Sequence, residues 1–314
     1  TTYMNNKRLA IFAALILAVS SASFFLLRNQ GIQATLINNV EEKKTVLSTF
    51  TVISDMVREI GGDKVITVSL TKPGVEIHGY EPTPGDLVRA SNANIIFDNG
   101  LNLEVWASKL YSSIPNVPHV TLSKGVEVIY IGEGAYKDKP NPHAWMSPKQ
   151  ALVYVENIRR ALVDLVPEHT AYFNYRADVY SKKIKTLDIQ LRESLSLIPE
   201  SKRYLVTCEG AFSYLTNDYG LSELYLWAIN DESQGSPQQI AKVVDTVKKY
   251  QIPAVFCEST IEPRIQQEVV QASGARMGGL LYVDSLSDAS GPAPTFLALL
   301  EHTVLTITSG LLGN

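Results

Sequence analysis

From residue 45 onward the chain alternates short β-branched runs with amphipathic stretches, and this order limits the fold more than any other feature. TVLSTF (45–50), VITVSL (65–70), NIIF (94–97) and HVTL (119–122) read as strands, with helical patterns between the first three. RYLVT (203–207), ELYLWAI (223–229), PAVFC (253–257) and LLYVD (280–284) repeat the grammar in the second half. Strands that alternate with helices build mainly parallel sheets covered by those helices. The expectation is an α/β protein of two lobes, 45–164 and 199–314, joined through 165–198. From Pro167 to Ser196 the chain has neither Gly nor internal Pro, and it keeps Tyr172, Tyr175, Val179, Ile184, Leu187, Leu191 and Leu195 at helical spacing. One helix of about 30 residues would measure about 45 Å and run along both lobes. Two shorter helices broken near Lys182-Lys183 are the alternative.

The N-terminus reads differently. Lys7-Arg8 precedes an apolar run from Leu9 to Val19 and then Ser20-Ser21-Ala22, the order of an export signal cleaved after Ala22. The competing reading is an uncleaved anchor, because the apolar stretch continues to Leu27 and so reaches about the length that spans a bilayer. Residues 1–27 are therefore a leader or an anchor, 28–44 a polar linker, and the globular part is periplasmic on either reading. The leader contains no cysteine for lipid attachment. With 28 Lys and Arg against 32 Asp and Glu, the net charge of −4 leaves no footprint for a polyanion, and nucleic acid is not an expected partner. Neither of the two cysteines sits in a C-x-x-C pair, which excludes zinc ribbons and thioredoxin-type chemistry.

Local chemistry begins at His78, in EIHGYEPTPGD. Thr83-Pro84-Gly85-Asp86 is a capping box with Pro at the first helical position, so a helix is expected from Pro84 to about Ser91. His78 then lies on a loop leading from a strand into a helix. His143 has a matching context in NPHAWMSPKQ, where Ser147, Pro148 and Gln150 mark another helix start. A single loop histidine is ordinarily a surface residue; two in matching contexts point to convergence on a cleft. Glu209 and Asp284 stand at the carboxyl ends of expected strands, where ligands bind in open α/β sheets. Taken alone, each could be a helix cap or an ion-pair partner. The four are too far apart in sequence for a local metal loop, but together they supply a nitrogen and oxygen donor set for a divalent transition ion across two lobes.

The segments HGYEPTPGDL, NPHAWMSP, TCEGAFSYLTNDYGL, IPAVFCEST and LYVDSLS, in this order, resemble the motifs of the metal-binding solute-binding proteins that serve ABC importers for manganese and zinc. The likeness covers the chain from about Thr45 onward and is strongest to the manganese-binding receptor of cyanobacteria. It implies two lobes on one long helix with the metal between them, and it carries the ligands to His78, His143, Glu209 and Asp284. It also implies an ABC permease and its ATPase in the inner membrane as partners, with the receptor a monomer. Zinc-binding members generally have a third histidine at the position of Glu209, and often a histidine- and acid-rich loop between the first two ligands. Here residues 122–142 contain no histidine. A carboxylate in place of an imidazole hardens the site and allows bidentate coordination, which favours Mn²⁺ as the transported ion. Zn²⁺ is expected to bind at least as tightly in vitro, and Fe²⁺ stays open.

Cys208 and Cys257 both close expected strands of the second lobe and both precede a glutamate. If those strands are neighbours, their Cα atoms lie about 5 to 6 Å apart, a bridgeable distance in an oxidising compartment. Two buried free thiols are the alternative. A bond there would fix the backbone that aims Glu209, so reduction is expected to weaken metal binding. Glu258 is expected either to accept from a ligand histidine or to cap the helix near Pro263. Trp145 is expected to supply core area or to cover the site. His119, His169 and His302 have no partner at ligand spacing and read as ordinary surface or core residues. A metallohydrolase is the rival function. It would want an open coordination position and a general base, and the sequence has neither an H-E-x-x-H nor a second ligand set. The expectation is a receptor and not an enzyme.

Overall fold

Strands whose side chains are apolar on both faces need cover on both, and the first lobe provides it. In the computed structural model, which describes residues 42–230 and 235–313, the first lobe runs β1 (Lys44–Ser48), α1 (Thr51–Gly61), β2 (Val65–Ser69), α2 (Pro84–Ser91), β3 (Ile95–Asp98), α3 (Ala107–Ser113) and β4 (His119–Thr121). The four strands form one parallel sheet in the order β2-β1-β3-β4. Val46, Ile95 and Phe97 face the main core; Leu47 and Ile96 face a smaller one with Leu70, Ala90, Leu110 and Ile114. This double burial explains runs that are apolar without alternation. The order reverses between β1 and β3, which opens a crevice between the loops leaving those strands at their carboxyl ends.

A helix α4 (Pro148–Leu165) and a 3₁₀ turn (Pro167–His169) lead into α5 (Thr170–Ser196). Its 27 residues correspond to about 40 Å, and it passes Lys182-Lys183 without a break. Its buried stripe is Phe173, Ala177, Tyr180, Ile184, Leu187, Leu191 and Leu195. In the first half this departs from the expected stripe: Tyr175 is exposed and Phe173, Ala177 and Tyr180 carry the burial instead. The first half of α5 is tied to the first lobe through Arg176 to the Glu59 carbonyl and Tyr172 to Asp63. Its second half is tied to the second lobe through Asp188 to Tyr219 and Arg192 to the Asp218 carbonyl.

The second lobe contains β5 (Tyr204–Glu209), α6 (Ser213–Tyr219), β6 (Ser222–Trp227), α7 (Pro237–Tyr250), β7 (Ala254–Glu258), α8 (Arg264–Ser273), β8 (Arg276–Leu281) and α9 (Phe296–Leu312). Its strands pair in parallel as β5-β6 and β7-β8. The two pairs meet along β5 and β7, where Cys208 and Cys257 are disulfide-bonded with Cα atoms 5.2 Å apart. The buried amide of Gln266 spans the same seam, donating to the carbonyls of Phe256 at 2.5 Å and Val206 at 3.4 Å. The last strand lies upstream of the expected 280–284. Arg276–Leu281 holds Gly278 and Gly279, poor strand formers, because a Cβ at Gly278 would lie 2.3 Å from the Phe256 ring. The expected leader and nearly all of the linker lie outside the described residues. Among the described residues no helix is long and apolar enough to cross a membrane.

Candidate metal centre

Both histidines are delivered by loops that end in a helix cap. His78 sits between β2 and α2, whose capping box is complete: Asp86 N–H donates to Thr83 Oγ1 at 3.3 Å, and Thr83 N–H donates to Asp86 Oδ2 at 2.7 Å. His143 precedes a 3₁₀ turn (Ala144–Met146) and the Ser147 cap of α4, where Gln150 N–H donates to Ser147 Oγ at 3.1 Å. Glu209 is the last residue of β5. Asp284 lies three positions past β8 on a loop, not at a strand terminus, and the Trp145 indole N–H holds that loop by donating to the Val283 carbonyl at 3.1 Å.

The structure brings the four together. His78 Nε2 is 3.1 Å from His143 Nε2, 3.3 Å from Glu209 Oε1 and 3.9 Å from Asp284 Oδ1. His143 Nε2 is 3.7 Å from Glu209 Oε1 and 3.5 Å from Asp284 Oδ1. An ion about 2.0–2.2 Å from each donor needs neighbouring donors roughly 3 to 3.6 Å apart; the 3.1, 3.3 and 3.5 Å separations match this, and those of 3.7 and 3.9 Å are slightly wider. His143, Glu209 and Asp284 are wholly buried, and the His78 side chain is 4% exposed. Glu209 Oε2 and both Asp284 oxygens have no hydrogen-bond partner, and burying a carboxylate this way is costly without a cation to face it.

The electrostatics follow from that crowding. Burial, and then the charges of Asp284, Glu76 and Glu258, push Glu209 well above the ordinary glutamate range. Burial pushes Asp284 up as well, but the imidazole of His143, 3.5 Å away, and then that of His78 outweigh it and hold that carboxyl below its ordinary value. A cation entering the cluster would relieve the repulsion between the facing carboxyls.

Three contributors were not legible in the sequence. Asn141 Oδ1 accepts from the His143 ring nitrogen Nδ1 at 2.8 Å. Its Nδ2 donates to the Gly210 carbonyl at 2.6 Å, an acceptor that fixes which way the amide points. The proton of His143 is thereby placed on Nδ1, and Nε2 offers its lone pair to the centre. Glu76 Oε1 accepts from the backbone N–H groups of Ile77 at 2.8 Å and His78 at 2.9 Å. Burial first, and Asp284 next, push Glu76 up to about 7. Asn230 N–H donates to Glu209 Oε1 at 2.7 Å. Asn141 and Glu76 each precede a histidine by two residues, the one signal that could have marked them.

The remaining residues have local roles. Glu258 does not accept from a histidine; its Oε1 accepts from Glu209 N–H at 3.2 Å, bracing the strand end, and burial raises its carboxyl well above the ordinary range. Trp145 is wholly buried under the site, with its ring centroid 5.3 Å from that of His143 and 5.1 Å from that of Phe50. His119 stacks on Tyr111, His169 meets Phe173 edge-on, and His302 meets Tyr282. Among the described residues the other group with metal-ligand chemistry is Cys208, Cys257 and Glu258, whose cysteines the disulfide consumes.

Residues 46–310 match the family described as "Zinc-uptake complex component A periplasmic". The chain belongs to this family. It is 50% identical over 273 residues to the iron-binding protein YfeA of Yersinia pestis, covering 87% of this chain and 88% of that one. The manganese-bound periplasmic metal-binding protein of Candidatus Liberibacter asiaticus superimposes with a TM-score of 0.80 at 36% identity, over 86% of this chain and all of that one. The periplasmic zinc-binding protein TroA of Treponema pallidum gives a TM-score of 0.81 at 27% identity, over 86% of this chain and 99% of that one. The chain is thus an extracytoplasmic metal-binding component of an ABC importer, and not an enzyme.

Proposed function

We propose that this receptor captures one divalent ion, manganese before iron or zinc, through His78, His143, Glu209 and Asp284, and delivers it to an ABC permease and its ATPase in the inner membrane. The observation that carries this reading is the set of buried carboxylate oxygens without protein partners beside two imidazole nitrogens. Two carboxylates free to bind through both oxygens, with two imidazoles, offer four to six donors. That count and hardness suit Mn²⁺ and Fe²⁺ better than tetrahedral Zn²⁺. Relatives named for iron, manganese and zinc support a divalent transition ion, and the donor set then favours manganese. Residues 1–27 direct export to the periplasm, 28–44 act as a spacer, and 45–164 and 199–314 are the two arms on the 165–198 helix of a monomer. Purification without chelators from cells supplied with equal Mn, Fe and Zn, followed by elemental analysis, should find one ion per chain and manganese in the majority. A majority of zinc would contradict the manganese reading.

A further inference from the structure

Hydrogen bonds tie the two lobes together around the ion site. Asn141 joins His143 to the Gly210 carbonyl and to Ser213. Trp145 joins the first lobe to the Val283 carbonyl. Ser285 joins the Asp284 loop to Gly74 N–H at 2.7 Å and meets Thr51 at 3.3 Å. Asn230 Nδ2 donates to Glu76 Oε2 at 2.9 Å, while its Oδ1 accepts from the Trp227 indole N–H at 2.8 Å. Trp227 can only donate, so the amide orientation at Asn230 is determined.

The ties differ in depth. The bonds from Asn141 to the Gly210 carbonyl and from Trp145 to the Val283 carbonyl are buried, whereas Ser285–Gly74 and Asn230–Glu76 are each only partly buried. Breaking a buried tie strands polar groups away from water; at a partly buried one, water can take over the broken bond. The Asn230–Glu76 tie also reaches one ligand in each lobe. Glu76 holds the backbone of His78, and Asn230 N–H holds Glu209 Oε1. We propose that the Asn230–Glu76 contact is a clasp that sets the rate of ion release: it lies outside the buried ties, and its opening loosens His78 and Glu209 together. Asn230 is on this account a positioning residue that never touches the ion. The inference rests on the ligand reading proposed above.

The test is a chelator chase of Mn²⁺-loaded full-length protein, with association rates measured alongside. Asn230→Ala should release Mn²⁺ about 10- to 100-fold faster, the range typical when a group supporting a metal ligand is lost. Association should be unchanged, since the charge lining the cleft is the same. Glu76→Gln sets an amide N–H against the Asn230 amide and should also release faster. The double variant should release no faster than the faster single one, because both break the same contact. Release from Asn230→Ala at the wild-type rate, or effects that multiply in the double variant, would overturn the clasp. Should Asn230→Ala fail to fold, Glu76→Gln decides alone: wild-type release from it would overturn the clasp. His143→Ala serves as the control that removes binding. Failure of the wild type to take up Mn²⁺, or full uptake by His143→Ala, would instead overturn the ligand reading.

Discussion

The first lobe presents its histidines from loops held by helix caps, whereas the second presents Glu209 from a strand end held by a seam that has a covalent bond across it. The difference follows from what each ligand needs. An imidazole must have its ring aimed and its proton on the far nitrogen, and short local contacts such as Asn141 to His143 Nδ1 achieve both. A buried carboxylate needs its backbone fixed against the repulsion of its neighbours. β5 and β7 are not members of one hydrogen-bonded sheet, so that fixing falls to Cys208–Cys257, Gln266 and Glu258. Where a sheet is continuous, as in the order β2-β1-β3-β4, no such staple is present among the described residues.

The sharpest way to break this contrast is to remove the staple. With a sequence separation of 49, the bond contributes about 4 kcal/mol in the chain-entropy account, so Cys208→Ala with Cys257→Ala should lower unfolding free energy by an amount of that order. Mn²⁺ affinity should fall too, because the β5 end that carries Glu209 is released; equal affinity with and without reductant would make the bond a structural staple only. Denaturant titration and Mn²⁺ titration under both conditions check the two parts.

A second test uses one buried acid from each lobe. Burial, with Asp98 next, pushes Glu104 up to about 7, and burial pushes Glu223 up to about 7. Each holds a proton in the native state that the unfolded chain releases near the ordinary glutamate value of 4.5. Their contribution is therefore complete at low pH and is lost as pH rises through about 7, at about 1.4 kcal/mol for each pKa unit. Metal-free protein should unfold at lower urea at pH 8 than at pH 5, and Glu104→Gln and Glu223→Gln should each flatten the slope. A midpoint that rises with pH would contradict the shifts. The smallest effect is expected at the first lobe's own device. Thr83→Ala removes the α2 cap and should cost about 1 kcal/mol, with a modest loss of Mn²⁺ affinity through the His78 loop. A loss as large as that of the disulfide would erase the distinction between the lobes.

The parts that were legible in the sequence are those whose chemistry is local. The Thr83 box places α2 at Pro84–Ser91 as the sequence indicates, and the apolar runs place seven of the eight strands within a few residues. β8 was misplaced because LLYVD looks more strand-like than RMGGLL, and the space that makes Gly278 necessary belongs to Phe256 on another strand. The half of the α5 stripe around Tyr175 went astray for a similar reason: which of several aromatic residues turns inward depends on what lies opposite. Asn230 stayed hidden because its partners are distant in sequence, Glu76 being 154 residues away, and the orientation of Asn141 depends on the equally distant Gly210 carbonyl. Asparagine in a loop has many ordinary explanations, and a fold is needed to select among them.

The central claim is that both lobes contribute to one ion. Anomalous diffraction at the manganese edge from Mn²⁺-loaded crystals tests it most directly. The account predicts a single ion about 2.0–2.3 Å from Nε2 of His78, Nε2 of His143 and at least one oxygen each of Glu209 and Asp284. An ion bound elsewhere, or held by the residues of one lobe alone, would contradict it.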